Sequence, residues 1–102
     1  MVKSITKQQL MEMLGPFKSV KNAPSRNGYS QAPNQFDIRF QNGVVFQSYN
    51  ALVGARINGR LYFSGYHDYS NTTSRHTKAW CGYTAEERRK GLEDGTFTLI
   101  ED

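Results

Sequence analysis

Apolar residues in this chain first keep a helical spacing, then alternate with polar ones, then return to helical spacing. Leu10, Met11, Met13 and Leu14 make the first stripe. Thr6 and Gln9 stand at the spacing of a capping box, and Ile5 and Leu10 stand where a hydrophobic staple would hold the start of a helix. Gly15-Pro16 supplies a stop, because glycine accepts the left-handed cap and proline cannot continue the ladder. The pattern predicts a short amphipathic helix over residues 1–16, in an N-terminal helical segment 1–20, with its methionines in the core. Residues 21–35 lose all periodicity and are rich in Pro, Gly, Ser and Asn, which predicts a flexible loop. Arg26 and Tyr29 are its candidate contact residues.

Phe36, Ile38 and Phe40 alternate with Asp37 and Arg39, the signature of a half-buried strand. Two Asn-Gly pairs, Asn42-Gly43 and Asn58-Gly59, separate runs that repeat this pattern. Both residues tolerate positive φ, which tight hairpin turns require. Residues 36–64 therefore read as a four-stranded antiparallel meander. Gly54 inside the third strand marks a bulge or a close backbone approach.

Helical spacing returns over 72–93 as two short helices. The first is capped at Thr72 or Thr73 and ends at Gly82. The second opens with Thr84 and Glu87, again at capping-box spacing, and Glu86 reaches Lys90 one turn on. After the Asp94-Gly95 turn, residues 96–100 form a final strand. The fold class is α+β: a single small domain with an N-terminal helix, the meander, two helices on one face and a C-terminal strand.

Length agrees with this reading. A chain of 102 residues makes one domain and buries roughly 60–70% of its unfolded surface without staples. A single cysteine, Cys81, excludes an intrachain disulfide and points to a reducing compartment, the cytosol. No signal peptide and no run long enough to span a membrane is visible, so no membrane partner is expected. Net charge is +4 and unevenly spread. Residues 1–80 hold ten basic and three acidic side chains, and residues 81–102 hold three and six. A basic body favours polyanionic partners.

Catalytic chemistry finds weak footing. His67 and Asp68 are adjacent, so a strand would turn them to opposite faces. Cys81 with His76 or His67 lacks a placed orienting group, and beside Trp80 it reads as a small apolar residue. The histidines and the cysteine lack metal-site spacing, and nothing selects a carboxylate pair from Asp37, Asp68 and the acidic tail. The chain reads as non-enzymatic, with no metal and no cofactor.

Binding chemistry is richer. Tyr62, Tyr66, Tyr69, His76 and Trp80 share a stretch with Arg60, Arg75 and Lys78. Aromatic faces stack on unpaired bases while cations hold the backbone. The same residue types dominate protein hot spots. Trp80 is expected to pack onto the sheet, and Asp68, Ser70, Thr72 and Thr73 to tie their loop through side-chain-to-backbone bonds. The candidate binding residues are Arg60, Tyr66, Tyr69, Arg75, His76 and Lys78.

Phe46-Gln47-Ser48-Tyr49, Asp68-Tyr69-Ser70-Asn71-Thr72-Thr73, Arg75-His76, Trp80-Cys81-Gly82 and Gly95-Thr96-Phe97-Thr98-Leu99 carry a resemblance. Over residues 44–100 the chain resembles a family of small uncharacterised proteins that occurs in bacteriophages and some bacterial genomes. Its pattern runs F-Q-S-Y, W-D-Y-S, T-T, a basic-aromatic pair and F-L-G. His67 stands where tryptophan is usual, and Trp80-Cys81 replaces phenylalanine-leucine. The resemblance implies a phage-type accessory protein and supplies no activity. The expectation is a non-catalytic protein that binds and inhibits a host macromolecule in the host cytosol. The target would be a host protein or a nucleic acid met through the basic-aromatic surface, and not a small molecule.

Overall fold

Side-chain alternation in the middle of the chain sorts two cores onto opposite faces of one sheet. The computed structural model describes residues 1–24 and 31–101. The strands are β1 (Lys3–Thr6), β2 (Phe17–Pro24), β3 (Gln31–Phe40), β4 (Gly43–Ser48), β5 (Ala51–Ile57), β6 (Arg60–Ser64) and β7 (Thr98–Glu101). The helices are α1 (Lys7–Leu14), α2 (Asn71–Cys81) and α3 (Ala85–Asp94), with a 3-10 turn at Gly65–Asp68. All seven strands join one mixed sheet in the order β1-β7-β6-β5-β4-β3-β2.

The meander is therefore the antiparallel middle of a larger sheet. β7 runs parallel to both β1 and β6. A parallel neighbour requires a crossover, and the 3-10 turn, α2 and α3 form the one from β6 to β7. Two expectations are corrected here. The N-terminal segment is not a helix over 1–20 but an eight-residue helix between two edge strands. The segment 21–35 is not a loop throughout, since its two ends continue β2 and β3 as a hairpin. Arg26 and Tyr29 lie outside the described residues.

Ile38, Val45, Ala55 and Tyr62 oppose one another across successive strands, on the face that α1 covers. Thr6 caps α1 in the expected box, and Leu10 and Leu14 meet that row with no exposure. Each contributes about 1.5–3 kcal/mol by leaving water. Met11 and Met13 do not join them. They are exposed, because the i, i+4 pair Leu10 and Leu14 makes the face that meets the sheet and Met11 and Met13 lie off it.

The next register row is Asp37, Phe46, Gly54, Phe63 and Leu99, on the opposite face under α2 and α3. Trp80 stacks on Phe46 at 5.4 Å, and the Arg56 guanidinium lies 5.1 Å from its ring. Gly54 is needed for this packing. The strand is bulged opposite Phe46 and Gln47, and a Cβ on Gly54 would meet the Tyr62 carbonyl at 2.9 Å and the Trp80 ring at 3.2 Å. Of the two Asn-Gly turns, the second has positive φ at both residues, Asn58 and Gly59. The first turns on Gln41 and Asn42 instead, whose amides bond to the carbonyls of Pro16 and Leu14. Gly43 is there for space, since a Cβ would sit 2.5 Å from the Arg56 carbonyl.

Candidate functional site

At one end of the sheet the β4–β5 turn faces the 3-10 turn and the start of α2. A cleft of about 460 Å³ opens between them, walled by Tyr49, Tyr66 and Tyr69. That lies within the size range of pockets for organic ligands, roughly 300–1,000 Å³. The three rings are 57%, 41% and 76% exposed, and those of Tyr66 and Tyr69 lie tilted 5.7 Å apart. Ser48 and Leu52 line the floor, Lys7 stands at the rim, and Ser70 and Thr73 bring in the first turn of α2.

Each wall is built by local chemistry. Ser64 ends β6, donates its hydroxyl to the Leu52 carbonyl and accepts the Tyr66 amide at 3.2 Å, which caps the 3-10 turn and fixes Tyr66 beside β5. Ser70 caps α2 by accepting the Thr73 amide at 3.1 Å and also bonds the Thr73 hydroxyl. The cap is thus Ser70, ahead of the Thr72 or Thr73 expected from sequence. Tyr49 occupies positive φ (53°), while Asn50, which would bear that conformation more cheaply, does not. Bonds from the Tyr49 amide to the Asn34 carbonyl and from Gln47 to the Tyr49 carbonyl, both 2.7 Å, hold it there.

Ser48 lies at the bottom with 3% of its surface exposed, and its hydroxyl has no hydrogen-bond partner among the described residues. An unpaired buried hydroxyl costs about 1–3 kcal/mol. No aspartate or glutamate lines the cleft, and Lys7 is its one cation among the described residues.

The six residues expected from sequence do not form one patch. Tyr66 and Tyr69 face the cleft. Arg75 and Lys78 are exposed on the outside of α2, opposite the buried Thr73 and Thr77. His76 is half-buried on the same helix. Arg60 follows the Asn58-Gly59 turn, at the far end of β6 from Ser64 and the cleft. Tyr62 and Trp80 pack inside, as Trp80 was expected to. Tyr49, Ser48 and Lys7 were missed. Lys7 stands far in sequence from Ser48 and Tyr49, and both stand far from Tyr66 and Tyr69, so only the fold brings them together.

The catalytic candidates sit elsewhere and are occupied. His67 is buried, and its Nδ1 accepts the Nε–H of Arg88 at 2.9 Å. Burial lowers its pKa, with Arg88 and Arg89 acting the same way and Asp68 opposing them. Asp68 pairs with Arg89 at 3.0 Å. The Cys81 sulfur accepts the Tyr83 amide at 3.4 Å. Among the described residues no group of three or more His, Cys, Asp or Glu is placed to hold a metal. Among the described residues no helix is long and apolar enough to cross a membrane.

Residues 4–95 match the model of a family of unknown function, DUF8033. The match takes in most of the N-terminal 43 residues that the resemblance left out. No curated protein and no solved structure matches the chain.

Proposed function

This chain belongs to the DUF8033 family, whose function is unknown, and from its architecture we propose a non-catalytic protein that binds single-stranded nucleic acid through the tyrosine cleft. The observation that carries this reading is the trio Tyr49, Tyr66 and Tyr69. Their rings are presented to solvent around one cleft, and Tyr49 is held at a φ that tyrosine rarely adopts. Strain kept at a displayed side chain points to a use for that side chain. Exposed rings stack on any unpaired base, and a groove with no acidic residue among its described lining, in a basic chain, suits the phosphates.

A protein target is the second reading, because tyrosines also make hot spots and Phe17 and Val20 are exposed on edge strand β2. In either case the frame is an accessory protein that blocks a host macromolecule by occupying it. Titration of labelled single-stranded and duplex oligonucleotides over a salt series tests the first reading. It expects preference for the single strand and an affinity that falls with salt. Capture of a protein from nuclease-treated host lysate, with no oligonucleotide binding at low salt, favours the second.

A further inference from the structure

The two edges of the sheet differ. β1 is four residues long, and its one apolar residue, Ile5, packs against the core. β2 is eight residues long and pairs on one side only, with β3. An edge strand turns a row of amides and carbonyls away from its sheet, ready for another chain. The register rows that α1 covers run out to this edge. One is Ile57, Gly43, Phe40 and Phe17, and the next is Ala55, Val45, Ile38 and Val20. Leu10 and Leu14 close over the inner ends, at Val45, Ala55 and Ile57. The outer ends stay open: Phe17 is 59% and Val20 54% exposed, and Phe17 stands edge-on to Phe40 at 6.0 Å.

The other face of the same stretch is basic. Lys21 stands opposite Asp37 and Ser19 opposite Arg39, while Lys18 falls in the register shift between Phe17 and Ser19. Lys18 and Arg39 line a hollow of about 390 Å³ with no carboxylate in its described lining. Asp37, the carboxylate of β3, already has Lys21, Arg39 and Arg56 around it, so the surface keeps a net positive charge. Lysines at an open edge act against self-pairing. A second copy laid antiparallel over Ser19 and Val20 would set Lys18 against Lys21 twice, and like charges directly opposite repel. A nucleic acid would use the cations but leave the backbone row and Val20 without a partner.

The occupant that uses all three features is a strand with apolar residues on one face and carboxylates on the other. We propose that residues 17–21 are the docking edge for an extended acidic segment of a partner protein, which adds a strand beside β2. Alternate apolar side chains lie on Phe17 and Val20, and the residues between them put carboxylates toward Lys18, Lys21 and Arg39. In strand addition the main-chain bonds supply affinity and the alternate side chains supply choice. The edge lies at the Gly43 end of β4 and the tyrosine cleft at its Ser48 end, roughly 17 Å away. The inference therefore goes beyond the nucleic-acid reading and does not depend on it.

The test is an NMR titration of the full chain with two end-blocked octapeptides, one alternating valine with glutamate and one alternating valine with lysine. The glutamate peptide is expected to shift the amides of residues 17–21, to slow their hydrogen exchange, and to bind roughly tenfold or more tightly than the lysine peptide. A Lys18→Glu, Lys21→Gln variant should lose that preference. Phe17→Ser with Val20→Thr, both at exposed positions, should keep the fold and weaken the glutamate peptide roughly fivefold or more. Tyr66→Ala with Tyr69→Ala should leave the peptide shifts in place.

Equal binding of the two peptides overturns the inference, as does a preference that the charge variant keeps. Shifts centred away from residues 17–21 overturn it too, and so does silence at low salt. A single-stranded oligonucleotide that moves the same amides and displaces the peptide gives the edge to nucleic acid. A wild-type dimer lost in the Phe17→Ser, Val20→Thr variant gives it to a second copy. If the glutamate peptide behaves as described and oligonucleotides bind nowhere, the docking edge stands and the single-strand reading falls. Oligonucleotide binding at the cleft, with still amides at 17–21 in both peptide titrations, does the reverse.

Discussion

The Nε–H of Arg88 points at Nδ1 of His67 at 2.9 Å, and neither residue is more than 4% exposed. An arginine can only donate, so Nδ1 must hold a lone pair and the imidazole proton sits on Nε2. His67 is thereby neutral. The other guanidinium nitrogens reach the carbonyls of Tyr83 and His67 at 2.7 and 2.9 Å and the Ser74 hydroxyl at 2.9 Å. One side chain of α3 thus ties together the 3-10 turn, α2 and the loop before α3, the frame that carries Tyr66 and Tyr69.

Removing that tie is costly. Arg88→Ala leaves buried acceptors unpaired and opens a cavity, for an expected loss of about 3–5 kcal/mol. Urea unfolding reads it directly. A loss under about 1 kcal/mol, the size of a neutral surface change, would contradict the role assigned to Arg88.

Acid should loosen the same joint. Burial first, then Arg88 and Arg89, hold the His67 pKa below its ordinary 6.5, against the pull of Asp68. The unfolded chain therefore takes up the proton before the folded one does. Stability from this group is complete above about pH 6.5 and declines as pH falls from there toward the folded value. Unfolding free energies at pH 7.5 and 5.5 should differ in the wild type, and less in His67→Gln. An equal fall in both would place the acid sensitivity elsewhere.

Asp37 has the opposite sign. Burial raises its pKa, and Lys21, Arg39 and Arg56 oppose the rise. The folded state keeps this proton longer, so the group's contribution declines as pH climbs from about 3.8 through the raised value. Its Oδ1 has no partner among the described residues. Asp37→Asn is expected to leave stability at pH 7 unchanged or higher, as a thermal melt would show, and a lower melting temperature would refute it.

Much of this architecture is legible in the residues themselves. The capping boxes at Thr6 and Thr84, the alternation from Phe36, the Asn58-Gly59 turn and the crowding at Gly54 are local signals, and each stands in the fold. The misses share a cause. β1 is short, polar and exposed, and its partner β7 lies at the other end of the chain. β2 carries two register shifts that break its alternation, so it reads as loop. Arg88 looks like one more charge on a solvated helix, since arginine is rarely buried. The cleft is half legible. Tyr66 and Tyr69 stand out by composition, whereas Tyr49 enters through a turn geometry that favours its neighbour Asn50.

Tyr49 links stability to use. Tyr49→Asn should relieve the positive φ and raise stability by about 0.5–1 kcal/mol, because asparagine bears that conformation better. The same change should weaken oligonucleotide binding. A variant that binds as well as wild type would show that the strained ring is not used.

Most direct is an anisotropy titration of one labelled single-stranded oligonucleotide against the wild type and the Tyr66→Ala, Tyr69→Ala double variant at low salt, with melting temperatures measured alongside. Both rings are exposed, so the double variant should keep its melting temperature. Stacking is worth about 1–3 kcal/mol per base, so even if the two rings hold a single base the affinity should fall at least about fivefold. Unchanged affinity in a folded double variant, or no wild-type binding at low salt, would contradict the assignment of the cleft to single-stranded nucleic acid.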